Sequence, residues 1–480
     1  MPKIALIGAG SLIFSKTLVM DILATEALKG SELCLMSRTK PKLDRMKAFI
    51  KRVIRENGLP ATVTTTLDRR KALAGAQYVI VMIQVGGVDA FRWDYEIPLK
   101  YGVDQCIGDS LGPGGIFRGL RTIPALMDIA RDMAELCPDA VLLNYANPMG
   151  INCTALGQIS RIPYIGLCHG VQTTLDLISR YVGVPKEHVD FLCAGINHMA
   201  WFLSLKDKRT GADLYPILRA NMEKPEYYVN EKVRGEVMRH FGYCMTESTG
   251  HLSEYVPWFR KNRKALDLYC DQPGFGGASG AYYKYCAMIA GKYDQINYLD
   301  LESPKITRRS VEYCSYILEA METDRVFRLN GNVHNDGYIT NLPQGCCVEV
   351  PVFVDRRGLH PTKIGELPIQ CAALNMSNIA VQQLTVQAAL TSDPECAMQA
   401  VAMDPLTGAV CTLGEVRAMV RAMFKAEAQW LPQFQGKLPA ARPAIKIAKN
   451  VKPVDVPVDP ALAVANRFGQ LATQKVTRKK

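Results

Sequence analysis

The chain has 480 residues, 48% of them hydrophobic and 21% charged, with a net charge of +11. Its length exceeds what one hydrophobic core usually holds, so two domains, or one large α/β body with an appended lobe, are expected; the composition excludes a disordered or fibrous chain, and no apolar run is long enough to cross a bilayer. Ten Lys or Arg against two Asp fall within residues 431–480, so the basic character belongs to a Pro- and Ala-rich tail, and the rest of the chain gives no reason to expect a nucleic-acid or membrane partner.

The start, "MPKIALIGAG", enters a strand with no charged leader or cleavage site, and fifteen cysteines without framework spacing suit reduced thiols. Both features point to the cytoplasm. The strand ends in "GAGS", and a helical pattern follows over residues 11–29. Backbone amides at Gly8, Gly10 and Ser11 are therefore placed to receive a pyrophosphate, although Ile13 stands where a dinucleotide fingerprint has its third glycine. A second strand, "ELCLMS", ends at Ser37-Arg38, where an acid normally binds the ribose of NAD. A hydroxyl beside a guanidinium suits a 2′-phosphate, so NAD and NADP both remain open.

A charged helix is expected over residues 41–57, and strands at "AQYVIVMIQ" and "AVLLNYANP" alternate with helical stretches such as 123–136. This βαβ alternation predicts a Rossmann-type doubly wound parallel sheet, as in lactate and malate dehydrogenases. Between those strands, "CIGDSLGPGGIFRGLRT" reads as a glycine-dense loop that carries Asp109 and Arg118 close to a ligand, or simply as a set of turns. Asn144 and Asn147 in "NYANPMG" sit at a strand end, near a nicotinamide in such folds or in a plain Asn-Pro turn. Cys168 and His169 follow a short strand, and His198 lies thirty residues beyond Cys168 in "GINHMAW". A thiolate and an imidazole from two strand ends can hold a divalent ion; a core cysteine and a hydrogen-bonded histidine are the alternative. The second lobe mixes helices around Glu231, Tyr282 and Ser310 with the strand-rich "GCCVEVPVFVDRRG" and a last helical stretch over 369–424. The expected division is a Rossmann domain at 1–195, a mixed α/β substrate, metal and oligomerisation domain at 196–435, and a basic extension at 436–480.

The blocks "IGAGS", "DSLGPGGIFRGLRTIPAL", "LLNYANPMGIN", "GLCHGVQ", "CAGINHMAWF" and "NLPQGCCVEVP" together resemble glycoside hydrolase family 4, in particular its bacterial α-galactosidase branch. The resemblance runs from about residue 3 to residue 435. It implies an α-glycosidase that uses NAD and a divalent cation, usually Mn²⁺, and an exception to two-carboxylate hydrolysis. Oxidation at C3 of the sugar acidifies the C2 proton, a base removes it, the C1 oxygen leaves, and water addition and hydride return close the cycle. By resemblance Cys168 and His198 hold the metal, and the base is Tyr255 or Glu247 within "GYCMTESTGHLSEYVPWF". Asp109 matches an active-site acid, His169 takes the variable place after the metal cysteine, and Asn147 and Arg118 adjoin cofactor and substrate. Thiolate is soft for Mn²⁺, so Fe²⁺, Co²⁺ or Ni²⁺ are alternatives. "CHGV" aligns with the branch acting on unphosphorylated α-glycosides, yet Gly170 stands where that branch typically has Ser. This leaves an α-galacturonide, an α-glucuronide or another C6-substituted α-glycoside as an alternative substrate, with Arg118, Arg121 or Arg260 as the cationic partner of an acidic C6 group. The resemblance also implies a homodimer or homotetramer. An NAD(P)-dependent hydroxy-acid dehydrogenase is the rival of another class.

Overall fold

The structure, a computed structural model, describes residues 1–457 and 459–473; the terminal "VTRKK" of the basic extension and the side chain of Ile13 lie outside the described part. Its frame is a single twelve-stranded sheet. In chain order the strands are β1 (Lys3–Ile7), β2 (Glu32–Met36), β3 (Thr62–Thr66), β4 (Tyr78–Val81), β5 (Val141–Asn144) and β6 (Tyr164–Gly166), then β7 (Val189–Ile196), β8 (Met199–Asp207), β9 (Cys244–Met245), β10 (Phe327–His334), β11 (Cys347–Asp355) and β12 (Gly358–Pro361). Their spatial order is β3-β2-β1-β4-β5-β6-β10-β11-β7-β8-β9, with β12 beside β11.

Strands β1 to β6 are mutually parallel in the doubly wound order, and every pairing beyond β6 is antiparallel. The reason is in the side chains. Ile4, Ala5, Leu6 and Ile7 of β1 are all buried, as a strand covered on both faces requires, whereas edge strand β3 reads "TVTTT" and keeps half its surface wet. Each fully buried Ile or Leu of this kind contributes roughly 1.5–3 kcal/mol.

Register fixes where the chemistry can be. Met36 pairs with Ile7, Ile7 with Val81, Val81 with Asn144 and Asn144 with Gly166, so five strands end in one row. The row continues through Asn332 of β10, Glu349 of β11 and Gly195 of β7. The segments after β1, β4, β5 and β6 and the β7–β8 turn therefore open on one edge of the sheet.

Three expectations change. The glycine-dense "loop" ends at Leu111, and one helix runs from Gly112 to Leu136, with Arg118 on it. Its glycines serve packing: a Cβ on Gly114 would sit 2.6 Å from the Gly108 carbonyl oxygen, and one on Gly115 2.5 Å from the Ser110 backbone. The preceding loop folds back onto a helix face with no side chains to hold it off. The stretch 369–424 is four helices, Ile369–Thr391, Pro394–Met403, Pro405–Val410 and Leu413–Ala426, because Asp393, Asp404 and Thr412 cap each restart. Ser310 precedes its helix, Cys314–Thr323, rather than lying within it; its amide and hydroxyl both bond Asp21.

The chain forms one compact unit from Met1 to Ala441, with the sheet running through it unbroken, and a second from Arg442 onward that contains the helix Pro460–Thr473. All fifteen cysteines are free thiols.

Candidate active site

Cys168 follows β6 and precedes the helix Gly170–Val182. His198 is in the two-residue turn between β7 and β8, where Ile196 pairs with Met199. Glu247 arrives by a different route. β9 pairs with β8, Trp201 opposite Met245, and the Thr246 amide donates to the Ala200 carbonyl at 2.8 Å, which sets Glu247 beside the His198 turn. Arg234 donates to the Glu247 carbonyl and holds its backbone. Ligand atoms of Cys168, His198 and Glu247 all fall within 4.8 Å of one another, the one such His/Cys/Asp/Glu group among the described residues.

His198 (φ 63°) and Glu247 (φ 80°) both adopt left-handed backbone, a conformation that costs a side-chain-bearing residue of order 1 kcal/mol and concentrates at functional sites. Polar contacts then aim the side chains. The His198 Nδ1 lies 2.9 Å from the Tyr255 hydroxyl, leaving Nε2 toward Glu247 at 3.8 Å. His251 donates from Nδ1 to the other Glu247 oxygen at 2.8 Å, and its ring stacks on His198 with centroids 4.6 Å apart. Glu247 precedes the helix Thr249–Tyr255, which presents His251 and Tyr255 four residues apart on one face. The helix Ile369–Thr391 supports both halves: Asn375 donates to the Met199 carbonyl at 2.7 Å and Asn378 to that of Tyr255 at 3.1 Å.

Electrostatics divide the cluster. Burial pulls His198 down to about 4, so the imidazole is neutral and free to ligate. Burial opposes ionisation of Glu247, yet His198 and His251 hold its carboxyl well below the usual range. His251 is pushed down by burial and more strongly up by Glu247, to about 9. Burial, with the Glu247 and Glu349 carboxylates, raises the Cys168 thiol. A cation among these groups reverses that balance, since metal binding and thiol deprotonation are linked. Burial likewise raises Tyr255, with Glu254 and Asp109 adding to it.

Asp109 forms a second cluster. Its carboxylate accepts from Ser110 at 2.7 Å and Asn147 at 2.9 Å, and Arg118 stands 3.2 Å away. Burial works against its charge, but Arg118 and His251 outweigh burial and keep it ionised. Asn147 precedes a cis proline, Pro148, at the end of β5, and Asn144 turns inward to the Ala146 backbone instead. His169 is half exposed at the start of its helix, 3.7 Å from Glu312. Farther along the same edge, a Cβ on Gly8 would sit 2.7 Å from the Met82 carbonyl, so only glycine fits the turn after β1, and Ser11 begins its helix without a side-chain cap. Ser37 and Arg38 follow β2 beside that turn.

The structure thus brings Cys168, His198, Glu247 and Tyr255 together, with Asp109, Arg118 and Asn147 in an adjoining group. Arg121 and Arg260 are consumed elsewhere. Arg121 bonds Asp94 and Glu427, and Arg260 bonds Asp104 and the Gly277 carbonyl. Sequence reasoning passed over His251, although Glu247, His251 and Tyr255 recur at helical spacing. It also passed over Glu349, a buried acid inside the apolar strand β11, whose carboxyl burial pushes up to about 8; a lone acid in such a run was the signal. A cleft of about 810 Å³ opens at the opposite ends of β4, β5 and β6, around Tyr78, Val141 and Tyr164, and none of these groups lines it.

The model of Family 4 glycosyl hydrolases matches residues 3–184, and that of the family's C-terminal domain matches residues 193–407. The chain belongs to glycosyl hydrolase family 4. This family 4 enzyme is 41% identical to the α-galactosidase of Rhizobium meliloti, over 92% of this chain and 91% of the relative. It is also 41% identical to that of Bacillus subtilis, over 91% of this chain and the whole relative. Its fold matches the 6-phospho-β-glucosidase of Thermotoga maritima, a structure solved with manganese, NAD⁺ and glucose-6-phosphate, with a TM-score of 0.73 at 20% identity, covering 89% of this chain and 99% of that one.

Proposed function

We propose that this family 4 enzyme is an α-galactosidase for unphosphorylated α-galactosides, with NAD and Mn²⁺ as its resident cofactors, working in the cytoplasm as a homodimer or homotetramer. The observation that carries the reading is the meeting of Cys168, His198 and Glu247 beside the Tyr255 hydroxyl on the edge where the glycine turn also lies. The 41% identity to two α-galactosidases along nearly the whole chain supports the substrate. Among the described residues no helix is long and apolar enough to cross a membrane.

The residues fit both cofactors. Glu247 adds a hard carboxylate to thiolate and imidazole, which suits Mn²⁺ better than Cys168 and His198 alone. In the turn the Gly8 and Ala9 amides are spent on the Met36 carbonyl and the Ser11 amide on that of Gly8, so a pyrophosphate would be received at the start of the following helix, which Ser11 leaves without a side-chain cap. When bound, the two groups supply reversible hydride abstraction and Lewis acidity to an oxidation, elimination and water addition that leaves the nicotinamide unchanged overall.

With Glu247 committed to the ion and to His251, Tyr255 is the base that takes the sugar's C2 proton. Its hydroxyl is fixed by His198 Nδ1, and a neighbouring cation offsets the burial that otherwise keeps it protonated. Asp109, held ionised, accepts hydrogen bonds from sugar hydroxyls and orients Asn147 and Arg118. Arg118 stands with Asp109 at the sugar, its buried Nη1 3.2 Å from the Asp109 carboxylate. His169, at the exposed rim, faces the leaving group. The uronide alternative rests on Arg118 alone, because Arg121 and Arg260 are neutralised by their own acids.

Turnover of 4-nitrophenyl α-galactoside, set against the α-glucoside, α-glucuronide and α-galacturonide, tests the reading. Cleavage of the galactoside that stops when NAD⁺ or Mn²⁺ is omitted is expected. Faster cleavage of a uronide moves the substrate; cofactor-independent cleavage, or steady NADH accumulation on a hydroxy acid, overturns the mechanism. Light scattering of the intact chain reads the assembly.

A further inference from the structure

We propose that Tyr282 and Cys286 form the wall of the galactosyl pocket that meets the C6 hydroxymethyl group, and that this uncharged pair selects a C6 alcohol over a C6 carboxylate or phosphate. The inference rests on the α-galactosidase reading and goes beyond it by naming the residues that read the sugar away from the metal.

The helix that carries the pair, Ala281–Gln295, is built onto the loop that carries Asp109. The Gly280 amide donates to the Gln105 carbonyl at 2.8 Å and the Tyr282 amide to that of Cys106 at 3.1 Å. From the other side the same loop is pinned by Glu254, the neighbour of Tyr255, which accepts from the Ile107 and Gly108 amides at 2.5 and 3.0 Å. One short loop thus fixes the helix, Asp109 and the base relative to one another. Side chains repeat the connection. The Arg118 guanidinium lies over the Phe91 ring, 4.7 Å from its centroid, and Phe91 meets the Tyr282 ring edge to face at 5.6 Å. Cys286 stands one turn beyond Tyr282 on the same helix face. Both remain partly accessible, and among the fifteen thiols Cys286 shares that with only Cys168 and Cys411.

Burial raises the Tyr282 hydroxyl and the Cys286 thiol; Asp109 raises both further and Arg118 pulls both down, so the two groups lie within reach of that charged pair and stay neutral. The charges that bear on them are those of Asp109 and Arg118 and not those of the metal group, which puts the wall on the Asp109 side of the site. The chemistry orients the sugar toward it. The metal group and Tyr255 engage C2 and C3, and the pyranose edge opposite C2 and C3 is C5 and the ring oxygen, which carries C6. No free cation waits there. Arg118 is paired with Asp109 at 3.2 Å, and Lys284 is turned to the Ser279 carbonyl at 2.8 Å. A carboxylate or phosphate at C6 would meet the ionised Asp109 with nothing to offset it, whereas a hydroxyl can bond the Tyr282 phenol as donor or acceptor.

The test compares 4-nitrophenyl α-galactoside with its 6-deoxy analogue on the intact chain loaded with NAD⁺ and Mn²⁺. The unaltered chain should favour the galactoside about tenfold in kcat/KM, as one hydrogen bond between uncharged groups provides, and Tyr282→Phe should bring that preference to about twofold or less. Cys286→Arg should raise the ratio of α-galacturonide to α-galactoside cleavage at least about tenfold, because it supplies the missing cation. On the unaltered chain, galactose should slow iodoacetamide labelling of Cys286, read by peptide mass, and leave that of Cys411 alone; this measurement needs no variant. A Tyr282→Phe loss equal for both substrates, an unmoved uronide ratio in Cys286→Arg, or Cys286 labelling indifferent to galactose overturns the proposal. If the unaltered chain cleaves the galactoside without preferring it to the 6-deoxy analogue, the inference alone falls; if it cleaves neither, the α-galactosidase reading falls with it.

Discussion

Two buried charge clusters lie within this molecule, and they are built on opposite terms. In the first, the Arg121 guanidinium has every nitrogen engaged, by the Val85 carbonyl, Asp94 and Glu427, with all three charged side chains wholly inaccessible. Burial, with Asp94 beside it, drives the Glu427 carboxyl well up, so one guanidinium balances one carboxylate and one acid. In the second, around Cys168, His198, Glu247 and His251, the backbone is left-handed at two of the four residues. Buried nitrogens of His251 and of nearby Asn197 have no partner within the protein. A buried cluster in which every nitrogen of the cation is met ties helices together. One that leaves donors open and three ligand atoms converging is arranged for a guest.

Four experiments break or sharpen this contrast. Cys168→Ser is expected to act most strongly, releasing the bound divalent ion on dialysis and lowering α-galactoside turnover by at least about a thousandfold, read by metal analysis and rate. If metal and rate survive, the second cluster is of the same kind as the first. Arg121→Met leaves two acids buried around no cation and should cost about 3–5 kcal/mol in urea unfolding. Replacing Asp94 and Glu427 by Leu in the same chain should restore most of that loss, with metal content per folded molecule unchanged.

The third experiment uses pH. Against burial, Glu247 together with Asp109 and Glu254 raises His251 from 6.5 to about 9 in the folded protein. Stability from this group is fully present below pH 6.5 and is lost as pH rises through about 9, a loss of about 3 kcal/mol by linkage. Thermal unfolding of chelator-treated protein should show that decline in the unaltered chain and a flatter profile in Glu247→Gln. Smallest is Gly170→Ala. The added methyl would overlap the Glu247 carboxylate, so Mn²⁺ should bind about tenfold more weakly in a direct titration while urea stability stays put. Unchanged Mn²⁺ affinity would remove Glu247 from the ligand set.

Much of this architecture is legible in the chain because it is local. "KIALIGAG" is an apolar strand that meets a glycine turn, and the alternation through "NYANP" prescribes a parallel sheet, so Gly8, Asn147 and Cys168 are bound to appear at strand ends. The glycines of 112–119 look like loop in the sequence but lie in a helix, because composition does not distinguish a glycine needed for a turn from one needed so that another backbone can lie against a helix. Only the fold supplies Gly108 and Ser110 as the neighbours that require it.

By itself, then, the sequence determined the cofactor-binding frame, the family, and Cys168 and His198 as candidate ligands, since each depends on residue type within a few positions of a strand end. Tertiary structure decided the rest. Glu247, seventy-nine residues after Cys168 in the chain, lies in the candidate ligand group because β9 pairs with β8. Arg121 and Arg260 are removed as substrate partners because distant acids fold against them, whereas Arg118 is paired with Asp109 inside the candidate site itself. Which charges are spent and which are left for a ligand is a property of who packs beside whom, and no local pattern carries it.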